Sequence, residues 1–255
     1  NLHSKIFMYQ ILFVIPAKSS SLRIKKKNMK KLGNTSLLGH KIKACLKTNL
    51  GRVIVSTNSK KMADYSVKLG AEVPFLRPKK YSSSVATMMS CVLNLITYFK
   101  KNLIKYPKYI AVLPPTYPFT KASSITKAFN KLRSNKKYNS ICSFTDCLEH
   151  PFLIIKNKKK MHFNVIKYNG YTLADFERTQ DYPQALILTG AIRITKISYF
   201  LKYISNFSPK TSNHVVDFNS CLGFKLNKKE ALDINDHNDF NIAKILLKNK
   251  NIWNH

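Results

Sequence analysis

Residues 12–28 read LFVIPAKSSSLRIKKKN. An apolar run from Leu12 to Ile15 breaks at Pro16 and opens into three small hydroxyl residues, Ser19, Ser20 and Ser21. Lys18, Arg23, Lys25, Lys26 and Lys27 flank them, and Asn28 closes the stretch. A buried strand that gives way to such a loop suits phosphate. Backbone amides and hydroxyls crowd the oxygens while the cations neutralise them. A solvated basic turn has the same composition, so the surrounding elements must decide between the two readings.

Those elements alternate. Asn34, Thr35 and Ser36 supply cap residues before Leu37, Leu38, Ile42 and Leu46, which have amphipathic helical spacing. Residues 52–57 read as a buried strand, 59–69 as a helix stopped by Gly70, and 72–75 as a short strand. Residues 87–102 carry Met88, Val92, Leu95, Ile96 and Phe99, the broad apolar face of a long helix. A strand at 109–113, a rigid turn at 114–118, a helix at 123–132 and a strand at 140–144 follow. Residues 145–187 break the pattern with β-like pieces at 152–155 and 161–166 around a lysine turn at 157–160. Strands are then predicted at 190–194 and 215–218, with helices near 198–204 and over 236–247. The pattern predicts a three-layer α/β fold, a mostly parallel sheet with helices on both faces and a small β-rich insertion. Residues 1–255 are expected to form a single domain. Ligands of such sheets sit at the carboxyl ends of the strands, where 18–28, 77–87 and 114–118 are expected to lie.

Charge gives a competing reading. Lys and Arg number 44 against 12 Asp and Glu, for a net charge of +32 in 255 residues. Such an excess attracts polyanions. The lysines are nevertheless scattered from Lys5 to Lys250 and outnumber arginine, whereas nucleic-acid readers concentrate charge on one face and favour arginine. Nucleic-acid binding is therefore the least favoured class. The five cysteines form no CxxC pair, which speaks against zinc or redox sites and fits a reducing cytoplasm. The apolar run at 6–17 is too short to span a bilayer, and no membrane partner is expected. Because the first residue is Asn, a few residues are expected to precede it.

The same residues resemble a known family. Residues 15–28 are similar to the signature I-P-A-R-G-G-S-K-R-I-P-x-K-N of the cytidylyltransferases that activate nonulosonic acids (sialic, legionaminic and pseudaminic). The likeness continues in order. It runs through Leu37-Leu38-Gly39-His40, Val53-Ile54-Val55-Ser56-Thr57, and the stretch from Gly70 to Pro78. Pro115-Thr116, Pro118-Phe119, Glu149-His150-Pro151, Arg178-Thr179-Gln180-Asp181, Gly190-Ala191-Ile192 and Asp233-Ile234 follow. The Pro-Phe-Leu-Arg-Pro run leans toward the pseudaminic branch.

The resemblance implies a fold of the nucleotide-diphosphosugar transferase type and transfer of CMP from CTP to a nonulosonic acid, with release of pyrophosphate. It implies catalytic cations at Lys18, Arg23 and Lys27, and nucleotide contacts at Ala17, Ser21, Asn28, Arg77, Ala86, Thr87 and Thr116. It implies sugar contacts at Arg178 and Gln180, and Mg²⁺ at Asp233 and Asn235. It also implies a homodimer built through 145–187.

The text departs from the family at several motif positions. Ser19-Ser20 replaces Gly-Gly, Leu22 a lysine, and Pro114 a glutamine of many sialic-acid members. Asn58, Ser84 and Asn235 each stand where the family has Asp. A catalytically weakened or inactive nucleotide-binding protein is therefore the alternative reading. Single residues have plainer readings too. Asp233 and Asp236 suit helix capping, Arg178 an ion pair with Glu177 or Asp181, His40 and His150 structural turns, and Met88-Met89 the core.

Overall fold

The computed structural model describes residues 10–21, 23–83, 86–157, 163–205 and 214–249. Residues 158–160 of the lysine turn, Leu22, Ser84 and the first part of the run at 6–17 lie outside these. The elements in chain order are β1 (Ile11–Pro16), β2 (Lys31–Leu32), β3 (Thr35–Ser36), α1 (Leu37–Lys47), β4 (Gly51–Ser56) and α2 (Lys60–Lys68). Next come α3 (Met88–Lys101), β5 (Tyr109–Val112), α4 (Ala122–Ser134), β6 (Ser140–Asp146), β7 (Ile155–Asn157) and β8 (Phe163–Val165). The last are β9 (Leu186–Lys196), α5 (Ile197–Leu201), β10 (Cys221–Lys225) and α6 (His237–Lys248).

Alternating burial along β1 organises the layers. Ile11, Phe13 and Ile15 pack with Leu38 and Ile42 of α1 and Phe129 and Leu132 of α4. Leu12 and Val14 pack on the opposite face with Met89, Val92 and Ile96 of α3 and Phe200 of α5. A strand apolar on both faces belongs inside a covered sheet. β1 does lie inside one, between β4 and β5 in the order β10-β6-β9-β5-β1-β4. Both neighbours run parallel to it. β6 and β10 are also parallel, while β9 is antiparallel to β5 and β6. The sheet is therefore mixed and mostly parallel, as the alternation predicts.

Helix starts follow local chemistry. Ser36, Ser59 and Thr87 accept from the backbone N–H of Gly39, Met62 and Ser90, and Gly70 ends α2 at a φ of 91°. α4 has no side-chain cap of its own. Instead the buried Glu230 carboxylate, 109 residues away, accepts from Lys121 N–H at 3.0 Å. Glu230→Ala leaves that N–H and Asn227 short of a partner and is expected to lower stability by about 2 kcal/mol, read by urea denaturation.

The structure departs from the pattern in three places. The strand predicted at 215–218 does not form: Val215 and Val216 are buried as coil, and β10 follows five residues later. Residues 72–75 make one bridge, Glu72 to Ile54, because β4 already lies at the sheet edge with only that short contact outside it. The strand predicted at 190–194 extends to 11 residues and runs against its neighbours. Between β6 and β9 the chain leaves the sheet. There β7 and β8 form an antiparallel hairpin, and His150, Tyr168, Phe176 and Tyr182 pack around Phe152. Among the described residues no helix is long and apolar enough to cross a membrane.

Candidate active site

The carboxyl ends of β1, β4 and β5 surround a cavity of about 520 Å³. The basic loop after β1 forms one wall. Ile24 anchors this loop by burial beside Leu32, Ile234 and Phe240 of α6, so the polar residues around it face outward. Lys18, Ser21, Arg23, Lys27 and Asn28 all line the cavity. Asn28 is buried and its side-chain amide donates to Lys18 carbonyl at 3.0 Å, which closes the loop on itself.

Two of the family departures meet here. Ser19 N–H donates to Asn58 Oδ1 at 2.8 Å, and Asn58 Nδ2 donates to Ser19 Oγ at 3.0 Å. An amide both gives and takes hydrogen bonds, and at Asn58 it uses both functions on one serine. Ser19 and Asn58 thus form a clamp between the loop and the turn after β4.

Arg77 is buried in the same wall. Its Nη2 donates to Ser56 carbonyl at 2.7 Å and its Nη1 to Tyr81 carbonyl at 3.5 Å, while its Nε has no partner. No carboxylate among the described residues pairs with Lys18, Arg23, Lys27 or Arg77. Four cations around one cavity, none of them ion-paired with a carboxylate among the described residues, suit a multiply charged anion. Ala86, Thr87 and Thr116 complete the lining, with Thr87 capping α3.

The opposite wall brings one carboxylate. Ile234 N–H donates to Thr116 carbonyl at 2.8 Å and Lys27 Nζ donates to Ile234 carbonyl at 2.9 Å. These two bonds strap the segment 233–235 between the turn after β5 and the basic loop, and Asp233 and Asn235 line the cavity. Burial lowers the Lys27 pKa and the Asp233 charge opposes that shift. Asp233 Oδ1 is buried with no hydrogen-bond partner, so it is free to serve as an oxygen donor to a cation. Asp236 and Asp239, in contrast, are spent on α6. Asp236 accepts from Asn238 and Asp239 N–H, and Asp239 accepts from Asp236 and Asn235 N–H. Asp233 is left as the cavity's carboxylate.

Three sequence-derived candidates stand apart from this cavity. Ala17 is fully buried behind the loop, its N–H bonded to Ser56 carbonyl. Arg178 and Gln180 lie in the excursion, outside the lining, and Arg178 forms a fork with Asp181 at 2.9 and 3.0 Å. Other lining residues were not singled out from the sequence. Met88 borders the cavity while Met89 is core, which corrects the expectation that both are core. Tyr117 accepts from Gly190 N–H at 2.8 Å, and burial, with the nearby Asp233 charge, pushes its pKa up to about 12. Arg193 enters from β9. An arginine inside the apolar stretch 190–194 was the signal that could have found it. Pro114 lies in the wall, and Ser84 is outside the described residues. His40 and His150 serve structure, bonding to Leu32 and Pro183 carbonyls.

A sheet edge that gathers cations with no ion-paired carboxylate among the described residues, and one carboxylate with a buried free oxygen, suits an anionic ligand. The chain belongs to the cytidylyltransferase family, whose model matches residues 12–244. The CMP-N,N'-diacetyllegionaminic acid synthase of Legionella pneumophila is 34% identical over 120 residues, covering 47% of this chain and 51% of that protein. The chain thus spans about half the length of that relative. The pseudaminic acid cytidylyltransferase of Campylobacter jejuni is 24% identical over 240 residues, covering 93% of this chain and 96% of that one. The solved CMP:2-keto-3-deoxy-manno-octonic acid synthetase complexed with CTP shares the fold, with a TM-score of 0.67 at 10% identity over 94% and 98% of the two chains.

Proposed function

We propose that this chain transfers CMP from CTP to a nonulosonic acid. The observation that supports this most is the cavity itself, which holds Lys18, Arg23, Lys27 and Arg77 without ion-paired carboxylates and one carboxylate with a buried free oxygen. Lys18, Arg23 and Lys27, with Ser21, hold the triphosphate, while Arg77, Asn28, Ala86, Thr87 and Thr116 place the nucleoside. The sugar hydroxyl oxygen forms a bond to the α-phosphorus and the bond to the bridging oxygen breaks. Pyrophosphate leaves and the hydroxyl proton passes to water. This chemistry needs positioning and charge neutralisation more than covalent help.

Asp233 and Asn235 are the residues that would hold Mg²⁺, a hard cation that prefers oxygen donors; when bound it supplies positive charge against phosphate oxygens. An amide is a weaker donor than a carboxylate. Asn235→Asp is therefore expected to lower the Mg²⁺ concentration needed for half-maximal binding by about 10-fold, read by Mg²⁺ titration with CTP present. An unchanged requirement removes position 235 from the metal site.

The direct test incubates the protein with CTP, Mg²⁺ and sialic, legionaminic and pseudaminic acids and measures pyrophosphate release. No release with any of them, together with a CTP-induced rise in melting temperature, favours a nucleotide-binding protein without turnover. The motif departures at Asn58, Ser84, Pro114 and Asn235 are what favour that second reading. We also assign residues 1–255 to one cytidylyltransferase unit acting in the cytoplasm, and residues 145–187 to a homodimer interface. The exposed Leu153, Ile154, Ile155, Leu186 and Ile187 support the latter, and a monomer by light scattering would remove it.

A further inference from the structure

The geometry points to Arg193 as the residue that binds the carboxylate of the acceptor sugar. The inference rests on the proposed acceptor class and assigns to it a contact inside the cavity. Arg193 lies on β9, at the wall shared by the main cavity and an adjoining one of about 240 Å³. β9 is two strands from β1, so its backbone is roughly 10 Å from the strand that carries the basic loop. Arg193 therefore stands apart from the triphosphate wall, with the turn after β5 between them.

Its guanidinium has weak partners. Nη1 donates to Met88 Sδ at 3.4 Å, the Cys142 thiol is also within reach, and no carboxylate among the described residues pairs with it. Sulfur is a poor acceptor, so a half-buried arginine whose hydrogen-bond partners among the described residues are sulfur retains most of its capacity for an anion. The backbone makes room for it. A Cβ on Gly190 would stand 3.0 Å from Arg193 Nη2 and 2.9 Å from the Tyr117 hydroxyl. Glycine at this point lets guanidinium and phenol approach the strand together.

The chemistry of the acceptor suits the position. In a 2-keto sugar acid in its ring form, the carboxylate and the anomeric hydroxyl are attached to the same carbon. A planar guanidinium that grips the carboxylate through two hydrogen bonds fixes the direction of that hydroxyl as well. Arg178, the other arginine connected with the sugar, pairs with Asp181 at the exposed surface and lies outside this cavity.

The test crosses a change in the protein with a change in the ligand. Binding of each sugar acid and of its methyl ester is measured calorimetrically on protein saturated with CTP, without divalent cation so that turnover is suppressed. The natural chain is expected to bind the acid about 10- to 100-fold more tightly than the ester. Arg193→Met is expected to bind acid and ester alike, with its CTP-induced melting shift retained as evidence of folding, and Arg193→Lys to recover part of the preference. A merely structural role would weaken acid and ester equally and leave the ratio intact, which overturns the inference. So does a preference that survives Arg193→Met but disappears in Arg178→Met. If the natural chain binds CTP but no sugar acid at all, the acceptor assignment itself falls and this inference falls with it.

Discussion

Replacing Asp233 with asparagine should lower the rate of pyrophosphate release by about 10³-fold while the CTP-induced melting shift persists. The two effects separate because the cations that counter the triphosphate charge are other side chains. The basic loop retains Lys18, Arg23 and Lys27, and the wall retains Arg77, so the triphosphate still has its counter-charge. What disappears is the carboxylate whose Oδ1 lies buried without a partner. Its neighbours register the change too. The Asp233 charge helps to hold the Tyr117 pKa at about 12 and opposes the burial that lowers the Lys27 pKa. Removing it lets both fall. A variant that retains rate within 10-fold of the natural chain would show that Asp233 has no part in the chemistry, and that its free oxygen only tolerates burial.

The second large effect lies away from the cavity. Lys41 on α1 is 1% exposed and its Nζ has no hydrogen-bond partner. Burial lowers its pKa from 10.5 to about 8, and the nearby Cys45 and Glu230 only partly oppose that shift. The folded pKa lies below the unfolded one. Between about 8 and 10.5 the unfolded chain holds a proton that the folded chain has released, so stability rises with pH across that window. Below it, the buried ammonium costs about 3 kcal/mol. Lys41→Met fills similar volume without the charge. It is expected to raise the melting temperature by about 6–12 °C near neutral pH, and the gain should shrink as pH approaches 10.5. Denaturant titration of both chains across that range checks this. An equal gain at both ends would mean that folding leaves the Lys41 pKa unshifted.

These two residues mark where sequence reading reaches and where it stops. The sheet layers were legible because β1 is apolar on both faces, and helix starts were legible because Ser36, Ser59, Thr87 and Asp236 act within four residues. The basic loop was legible for the same reason, since its cations are contiguous. Strand direction was not. Nothing in Leu186–Lys196 records that β9 runs against β5, because that follows from how far the excursion carries the chain before it returns. Val215 and Val216 illustrate a related limit: apolar residues report burial, and burial does not require a ladder. Arg193 and Tyr117 join the cavity through pairings 73 and more residues apart, which no local window contains. Lys41 sits on an otherwise ordinary amphipathic helix, and its burial depends on α4 and on Glu230 packing across it.

The bond from Lys27 to the carbonyl of Ile234 closes over 207 residues. A ribosome delivers the two ends of that bond at different times, at roughly 5–20 residues per second. The basic loop, β4 and β5 can therefore emerge and pair while Asp233 is still unmade. During that interval the nascent chain carries an anion-attracting loop with no carboxylate opposite it, and Ile24 lacks the α6 residues that later bury it. The nucleotide cavity is thus completed by late synthesis. A chain stopped before residue 233 would carry the basic loop without the carboxylate that faces it.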